Sequence, residues 1–153
     1  MTARSLAALA LAAGLAGCDA GPGPGEDARA NPRDASNAAL GAKVYAQNCA
    51  ACHGVKLEGQ PDWRKRLANG RLPAPPHDDS GHTWHHRDDV LFAITKRGLV
   101  PPYAPSDYQS DMPAFGGVLS DEGIWAVLAY IKGQWSAQAR QIRAEMLAGA
   151  RRR

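Results

Sequence analysis

The feature that most constrains this chain is a five-residue run, Cys49-Ala50-Ala51-Cys52-His53. A Cys-x-x-Cys-His run is the pattern by which c-type haem is attached. Two thiols three positions apart on a helical turn can reach both vinyl groups of one porphyrin and form thioethers, and the adjacent histidine then lies under the iron. The run therefore predicts one haem c held covalently by Cys49 and Cys52, with His53 as an axial ligand.

Other uses of a Cys-x-x-Cys pair fit this sequence less well. An exported protein could close the pair as a disulfide, but the histidine that follows favours haem. A thioredoxin-like redox pair lies at the end of a strand in a βαβ unit, and no such pattern surrounds this pair. A zinc site needs a second pair of ligands, and the third cysteine of the chain, Cys18, lies in a segment of a different kind.

The N-terminal segment has the pattern of a secretory signal. Arg4 supplies a positive charge, and residues 6–15 are Ala, Leu and Gly, a stretch too short to cross a bilayer with margin. The Leu-Ala-Gly that precedes Cys18 resembles a bacterial lipobox, which implies cleavage before this cysteine and its lipidation. An ordinary signal peptide followed by a chance cysteine is the alternative. Residues 1–17 are therefore predicted to be a lipoprotein signal peptide.

A lipidated Cys18 would hold the protein on the periplasmic side of a bacterial membrane. Several acyl chains on one residue anchor a protein durably, whereas a single chain does not. Asp19 resembles an inner-membrane retention signal of enteric bacteria, which favours the inner over the outer membrane. The following residues are rich in Gly, Pro, Asp and Ala without apolar periodicity, so residues 18–36 are predicted to be a disordered tether.

The remainder of the chain predicts helices separated by long loops, with no strand of any length. Apolar residues recur at helical spacing in three segments: residues 38–48, residues 88–96, and a last helix that begins after Ser120. Ser36 or Asn37 is expected to cap the first helix, and Gly98 is expected to end the second.

Two further features complete the outline. Residues 136–153 are predicted to form a basic C-terminal extension, helical and exposed over residues 136–148.

The formal net charge is only +3, and no basic stripe runs through the interior of the sequence. Because a duplex-binding surface needs such a stripe, nucleic acid is excluded as the expected partner.

Features on both sides of the motif carry a resemblance. Gly41 and Tyr45 lie eight and four residues before Cys49, and residues 125–132 read Trp-Ala-Val-Leu-Ala-Tyr-Ile-Lys. With these features residues 37–135 resemble the class I (mitochondrial-type) cytochrome c family. The resemblance implies an all-α fold with three to four helices around a covalent haem and long loops that close its crevice. It also implies that the first helix meets the last one at Gly41, where a small residue lets two backbones approach closely.

The resemblance implies Met112 as the second axial ligand. This residue lies in an Asp-Met-Pro loop between the last two predicted helices, whereas Met1 leaves with the signal and Met146 lies on the polar extension. A thioether ligand raises the reduction potential of haem iron. A filled coordination sphere leaves no open site for oxygen or peroxide, which favours electron transfer over catalysis and predicts a protein that is not an enzyme.

Residues around the haem can also be proposed. The resemblance implies that a proline carbonyl downstream anchors the outer ring nitrogen of His53, and that of Pro61, or of Pro73, is the candidate. In the His-rich loop of residues 77–86, Trp84 and His85 are expected to donate hydrogen bonds to the haem propionates. The same loop could instead be a surface loop without a special role, or a weak copper or zinc site, since imidazole suits both metals.

The sequence therefore predicts a membrane-anchored one-electron carrier between respiratory redox proteins. The family implies a quinol-oxidising complex or dehydrogenase as donor and a terminal oxidase or reductase as acceptor. Two other classes stay open. One is a metal-handling or assembly haem lipoprotein that uses the loop of residues 77–86, and the other is a haem enzyme such as a peroxidase.

Overall fold

A computed structural model of the chain describes residues 26–150. The predicted signal peptide, Cys18, Asp19 and the last three residues lie outside this range. Within it all regular structure is helical, which confirms the predicted all-α fold. No helix among the described residues has the length and apolar character needed to span a bilayer.

Five α-helices make up the structure, together with two 3₁₀ turns at Ala28–Ala30 and Thr83–His85. The α-helices are α1 (Ala35–Asn48), α2 (Ala50–His53), α3 (Asp88–Arg97), α4 (Asp121–Gly133) and α5 (Ala137–Ala150). Long loops join α2 to α3 and α3 to α4, as the Gly and Pro content predicts.

Helices α1 and α4 cross closely at Gly41, which confirms the predicted packing of the first helix on the last. A Cβ added at Gly41 would lie 2.0 Å from the carbonyl oxygen of Ala126 and 2.8 Å from the Cβ of Tyr130. One turn further along α1, the rings of Tyr45 and Tyr130 meet with centroids 5.4 Å apart. The crossing therefore depends on the absence of a side chain at Gly41.

The helix ends follow local chemistry. Ser120 caps α4 by accepting a hydrogen bond from the backbone N–H of Gly123 at 3.2 Å, and Gly98 ends α3 with a φ of 82°. Both predictions are confirmed. The cap of α1 is instead Asp34, whose carboxylate accepts from the backbone N–H groups of Ser36 and Asn37. Ser36 and Asn37, the two predicted caps, thus lie in the first turn of the helix. Their backbone N–H groups are the ones that the carboxylate of Asp34 satisfies.

The predicted tether is wrong from Glu26 onward. Ala30 is completely buried, and the backbone N–H of Asp27 donates to the carboxylate of Asp88 at 2.7 Å. The guanidinium of Arg29 lies 4.2 Å from the ring centroid of Trp125 in α4. The sequence of this segment has no apolar periodicity that would reveal its structure. Contacts with α3 and α4, which are distant in sequence, hold it in place.

The C-terminal extension is helical, as predicted, but one of its faces is not exposed. Ala139, Arg143 and Leu147 are buried at intervals of four residues, and Trp135 is buried just before the helix begins. The arginine on the buried face hides this pattern in the sequence, because a charged residue is almost never fully buried unless it is paired.

Candidate haem-binding site

A cavity of about 490 Å³ brings together the predicted attachment and ligand residues. Cys49, Cys52, His53 and Met112 all line it. This volume lies within the usual range for cofactor pockets. The motif and the methionine loop, about sixty positions apart in sequence, therefore meet at one site.

The two cysteines lie on one helical turn. Cys49 ends α1 and its carbonyl accepts from the backbone N–H of His53 at 2.9 Å, so the motif is helical from its first residue. Residues three apart share a helix face, which places Cys52 beside Cys49. Both thiols are free, and burial raises the pKa of the Cys49 thiol to about 11. The Cys49 sulfur therefore carries the hydrogen that addition to a vinyl group consumes.

The phenol of Tyr45 joins α1 to the end of the motif. Its hydroxyl donates to the carbonyl of Gly54 at 2.9 Å, and the carbonyl of His53 lies 3.3 Å away. Gly54 has a φ of 82°, which turns the chain away from the helix after the histidine. The aromatic residue four positions before the motif thus has a second role besides packing on α4.

The ring of His53 is oriented by Pro75. Its Nδ1 donates to the Pro75 carbonyl at 2.8 Å, because a carbonyl oxygen only accepts. This bond leaves Nε2 with the free lone pair that a metal requires. Burial lowers the pKa of His53, which favours the neutral ring that ligates iron.

Neither Pro61 nor Pro73 is the residue that anchors His53. Pro61 is exposed in a turn, while the loop returns so that the backbone N–H of Gln60 donates to the carbonyl of Ala74 at 2.9 Å. This pairing places the following carbonyl, that of Pro75, beside Nδ1 of His53. The spacing of prolines in the sequence does not reveal which of their carbonyls the returning loop brings close to His53.

The loop that carries Met112 is anchored at several points. Met112 is half-buried, and its backbone N–H donates to the hydroxyl of Ser110 at 3.0 Å. Beyond it, the N–H of Phe115 donates to the carbonyl of Thr95 at 3.0 Å. Before it, Asp111 pairs with Arg71 of the facing loop. These contacts hold a thioether at the cavity that contains the imidazole of His53.

Trp84 and His85 do not line the cavity. Their rings contact each other with centroids 3.8 Å apart and planes tilted by 43°, and the indole N–H of Trp84 donates to the carbonyl of Asp79 at 3.3 Å. His85 is exposed. The prediction that these two residues contact the haem propionates is therefore wrong.

His82 and His86, which flank the 3₁₀ turn, line the cavity instead. Their ring centroids are 5.5 Å apart, and His82 also stacks on Trp63 of the opposite loop at 5.4 Å. Burial is the largest cause that lowers the pKa of each ring. The sequence does not show which histidines of the loop line the cavity, because that depends on the path of the loop in the folded chain.

His77 is a further lining residue without a predicted role. Its ring stacks on that of His53, and its backbone carbonyl accepts from the indole N–H of Trp135 at 2.9 Å. Its Nδ1 is buried and has no hydrogen-bond partner among residues 26–150. Such an orphaned atom is uncommon in a native structure and indicates a group that the protein part alone does not supply.

The cavity fits a haem. Its wall is largely apolar, as a porphyrin face requires, and includes Leu72, Leu91, Ile94, Phe115, Leu128 and Ile131. The imidazole of His53, the thioether of Met112, two free thiols and an orphaned imidazole nitrogen complete it. In contrast, no group of three or more metal-binding side chains occurs in the described part of the chain, which gives the predicted copper or zinc site on the His-rich loop no support.

Several known proteins are similar in sequence to this chain. The chain is 34% identical over 104 residues to cytochrome c6 of Picosynechococcus sp., a match that covers 67% of this chain and 78% of that protein. It is 30% identical over 100 residues, 65% of the chain, to the gluconate 2-dehydrogenase cytochrome c subunit of Pantoea cypripedii, but spans only 21% of that subunit. Cytochrome c550 of Pseudomonas aeruginosa is 29% identical over 96 residues, with 61% of this chain and 52% of that protein covered.

No solved structure matches the chain significantly. A family model described as "Cytochrome C oxidase, cbb3-type, subunit III" matches residues 36–131, which contain the motif, the Met112 loop and nearly all of α4. The site and this match agree on covalently bound haem c, and the chain therefore belongs to this family of c-type cytochromes.

Proposed function

We propose that this protein is a one-electron carrier whose single haem c is ligated by His53 and Met112. The observation that carries the proposal is that both side chains line one cavity together with the two free thiols. When bound, the haem supplies an Fe(III)/Fe(II) couple. His53 would hold the iron through Nε2, with its ring fixed by Pro75, and Met112 would close the opposite face.

The ligand set supports electron transfer rather than catalysis. A peroxidase needs an iron position that a substrate can occupy, and the anchored Met112 loop would fill that position. A Met/His ligand pair also raises the reduction potential. A haem enzyme would therefore be indicated only if Met112 did not ligate the iron.

Lipidation of Cys18 would anchor the carrier on the periplasmic side of a membrane, with the inner membrane favoured by Asp19. Between this cysteine and the first described residue lie only residues 19–25, which reach at most roughly 25 Å when fully extended. The anchor would thus keep the haem domain within one domain diameter of the bilayer. A short connection of this kind raises the effective concentration of the carrier at integral redox complexes.

The partners would be redox proteins: a quinol-oxidising complex or dehydrogenase as donor, and a terminal oxidase or reductase as acceptor. The names of a family model and of one relative refer to an oxidase subunit and a dehydrogenase subunit. The rim of the cavity adds a charge preference. The guanidinium of Arg64 lies 4.0 Å from the ring centroid of Trp63, a lining residue, whereas the charge of Arg71 is balanced by Asp111. An acidic partner surface fits this rim.

Optical spectra and potentiometry of the full chain, produced where cytochrome maturation operates, test the proposal. We expect a covalently bound haem, a thioether–iron charge-transfer band in the ferric protein and reversible one-electron reduction. Met112→Ala should abolish the band and lower the potential, whereas Met146→Ala, on α5, should change neither. A ferric protein that lacks the band and binds peroxide at the iron would instead identify a haem enzyme.

Membrane fractionation tests the anchor separately. Cys18→Ser should release the haem protein from the membrane, and Asp19→Ser should leave it membrane-bound while altering its division between inner and outer membrane. A Cys18→Ser protein that stays in the membrane fraction would refute lipid anchoring without affecting the electron-carrier proposal.

A further inference from the structure

A buried carboxylate joins both ends of the chain to the domain. Asp88, the first residue of α3, is fully buried. Its Oδ2 accepts from the ammonium of Lys132 and from the backbone N–H of Asp27, each at 2.7 Å, and its Oδ1 accepts from Arg143 at 2.7 Å. The ion pairs extend to Glu26, which lies 3.4 Å from Lys132. Two cations thus face two carboxylates where the N-terminal segment, α4 and α5 meet.

Arg143 reaches from this cluster to the histidine loop. Its side chain is only 1% exposed. While Nη2 binds Asp88, Nη1 donates to the backbone carbonyl of Trp84 at 2.9 Å and to that of His86. The guanidinium therefore satisfies two carbonyls at the end of the 3₁₀ turn, and it fixes the backbone of a residue whose side chain lines the cavity.

The segment that leads into α5 holds the start of the same loop. The indole N–H of Trp135 donates to the carbonyl of His77 at 2.9 Å, and the backbone N–H of Ser136 donates to the carboxylate of Asp79 at 3.1 Å. Both contacts come from beyond residue 131, where the family match ends. The C-terminal extension therefore holds the His-rich loop at its beginning and at its end.

The loop carries three imidazoles of the cavity. Among the lining residues that the structure describes, none is a lysine or an arginine, and the imidazoles other than His53 belong to His77, His82 and His86. The ring of His77 stacks on that of His53, the proposed iron ligand. His82 and His86, whose ring nitrogens can donate hydrogen bonds, are thus two of the polar groups placed to meet the carboxylates of a haem.

We propose that Arg143 is a positioning residue for the haem site: through the backbone of His86 it holds the imidazoles of His86 and His82 against the haem carboxylates. The C-terminal extension is then part of the electron-transfer site. This inference rests on the proposed function, since it requires haem in the cavity. Donors at the carboxylates weaken the negative field at the iron, so their loss favours the ferric state and lowers the reduction potential.

The structure explains why lysine cannot replace this arginine. The planar fork of a guanidinium serves a carboxylate and two carbonyls at once, whereas an ammonium is a point charge on a flexible stem. Arg143→Lys keeps the charge of the cluster but loses the fork. It therefore separates positioning of His86 from the plain electrostatic effect of a buried cation.

The test is a double-mutant cycle read out as the midpoint potential of the full haem protein. We expect Arg143→Lys and His86→Leu each to lower the equilibrium constant for reduction about threefold, equal to about 30 mV for a one-electron couple. The double variant should fall no further than His86→Leu alone. Arg140→Lys is the matched control, because this arginine of the same helix donates to the carbonyl of Trp135 instead, and it should leave the potential unchanged.

Additive shifts would overturn the inference, since they would show that Arg143 acts independently of His86. An unchanged potential in His86→Leu would also overturn the inference. The electron-carrier proposal would still stand in that case if the spectra were intact and the reduction reversible. If Arg143→Lys does not fold, Trp135→Phe provides the second variant, because it removes only the donor to the His77 carbonyl from the same extension. It should lower the potential in the same direction by a smaller amount, and an unchanged potential would count against the inference.

Discussion

The ring of His77 stacks on that of His53 with centroids 3.9 Å apart and an angle of 19° between the planes. His53 is thus fixed in two ways, by its hydrogen bond to Pro75 in the ring plane and by His77 on the ring face. A planar group at position 77 therefore sets the rotation of the His53 ring.

This stack predicts a difference between two variants of His77. His77→Phe keeps a flat ring and removes the buried nitrogen without a partner, so it should change the free energy of unfolding by less than about 1.5 kcal/mol. His77→Ala removes the ring and should cost about 2–4 kcal/mol. Denaturant unfolding of the haem protein measures both, and the magnetic anisotropy of the ferric protein should change in the alanine variant alone. Equal stability of the two variants would contradict the stacking role.

The helix crossing predicts the response to Gly41→Ala. The added Cβ would lie 2.0 Å from the carbonyl oxygen of Ala126, so the helices must separate at a cost of about 1–3 kcal/mol, as for other overpacked sites. Gly149→Ala in α5 is the control, because nothing lies within 4 Å of its added Cβ. That variant should gain up to about 1 kcal/mol from helix propensity. A Gly41→Ala protein as stable as the wild type would exclude a close crossing.

The basic rim predicts opposite effects on two small redox reagents. Arg64→Glu should slow oxidation by anionic ferricyanide about three- to tenfold at low salt, because it reverses a charge that attracts anions to the cavity. The same change should speed oxidation by a cationic cobalt complex. Lys43→Glu, an exposed change of equal charge on α1, should have a smaller effect on both rates. Stopped-flow measurements at two ionic strengths check this, since added salt should remove the difference.

The Asp34 cap predicts an acid-dependent contribution to stability. Hydrogen bonds from Ser36 and Asn37 lower the pKa of Asp34 below its ordinary value. A lowered folded-state pKa stabilises the protein above the unfolded-state value, about 3.9, and this contribution is lost as pH falls through the folded-state pKa. Asp34→Asn still caps the helix but does not titrate. The melting temperature of the wild type should therefore exceed that of the variant at pH 7, and the gap should close below about pH 4; a constant gap would argue against it.

The haem chemistry could be read from the sequence because it is local. Cys49, Cys52 and His53 lie within one helical turn, and a turn has nearly the same geometry in any protein. The same reason applies to the caps at Ser120 and Gly98, where each residue acts on its own helix end. Met112 could be predicted as a second ligand because few methionines compete for the role and because the flanking loop resembles that of a known family, and the structure places it at the cavity.

Only the tertiary structure decided which residues support the haem. Pro75 rather than Pro61 binds His53, and the flanking histidines His82 and His86 rather than Trp84 line the cavity. Each of these outcomes depends on the path of a long loop, which is held by hydrogen bonds to residues up to about sixty positions away. Arg143 is the clearest case. Its sequence neighbourhood predicts an exposed helix, and its burial follows from a carboxylate and two carbonyls that the folded chain alone brings within reach.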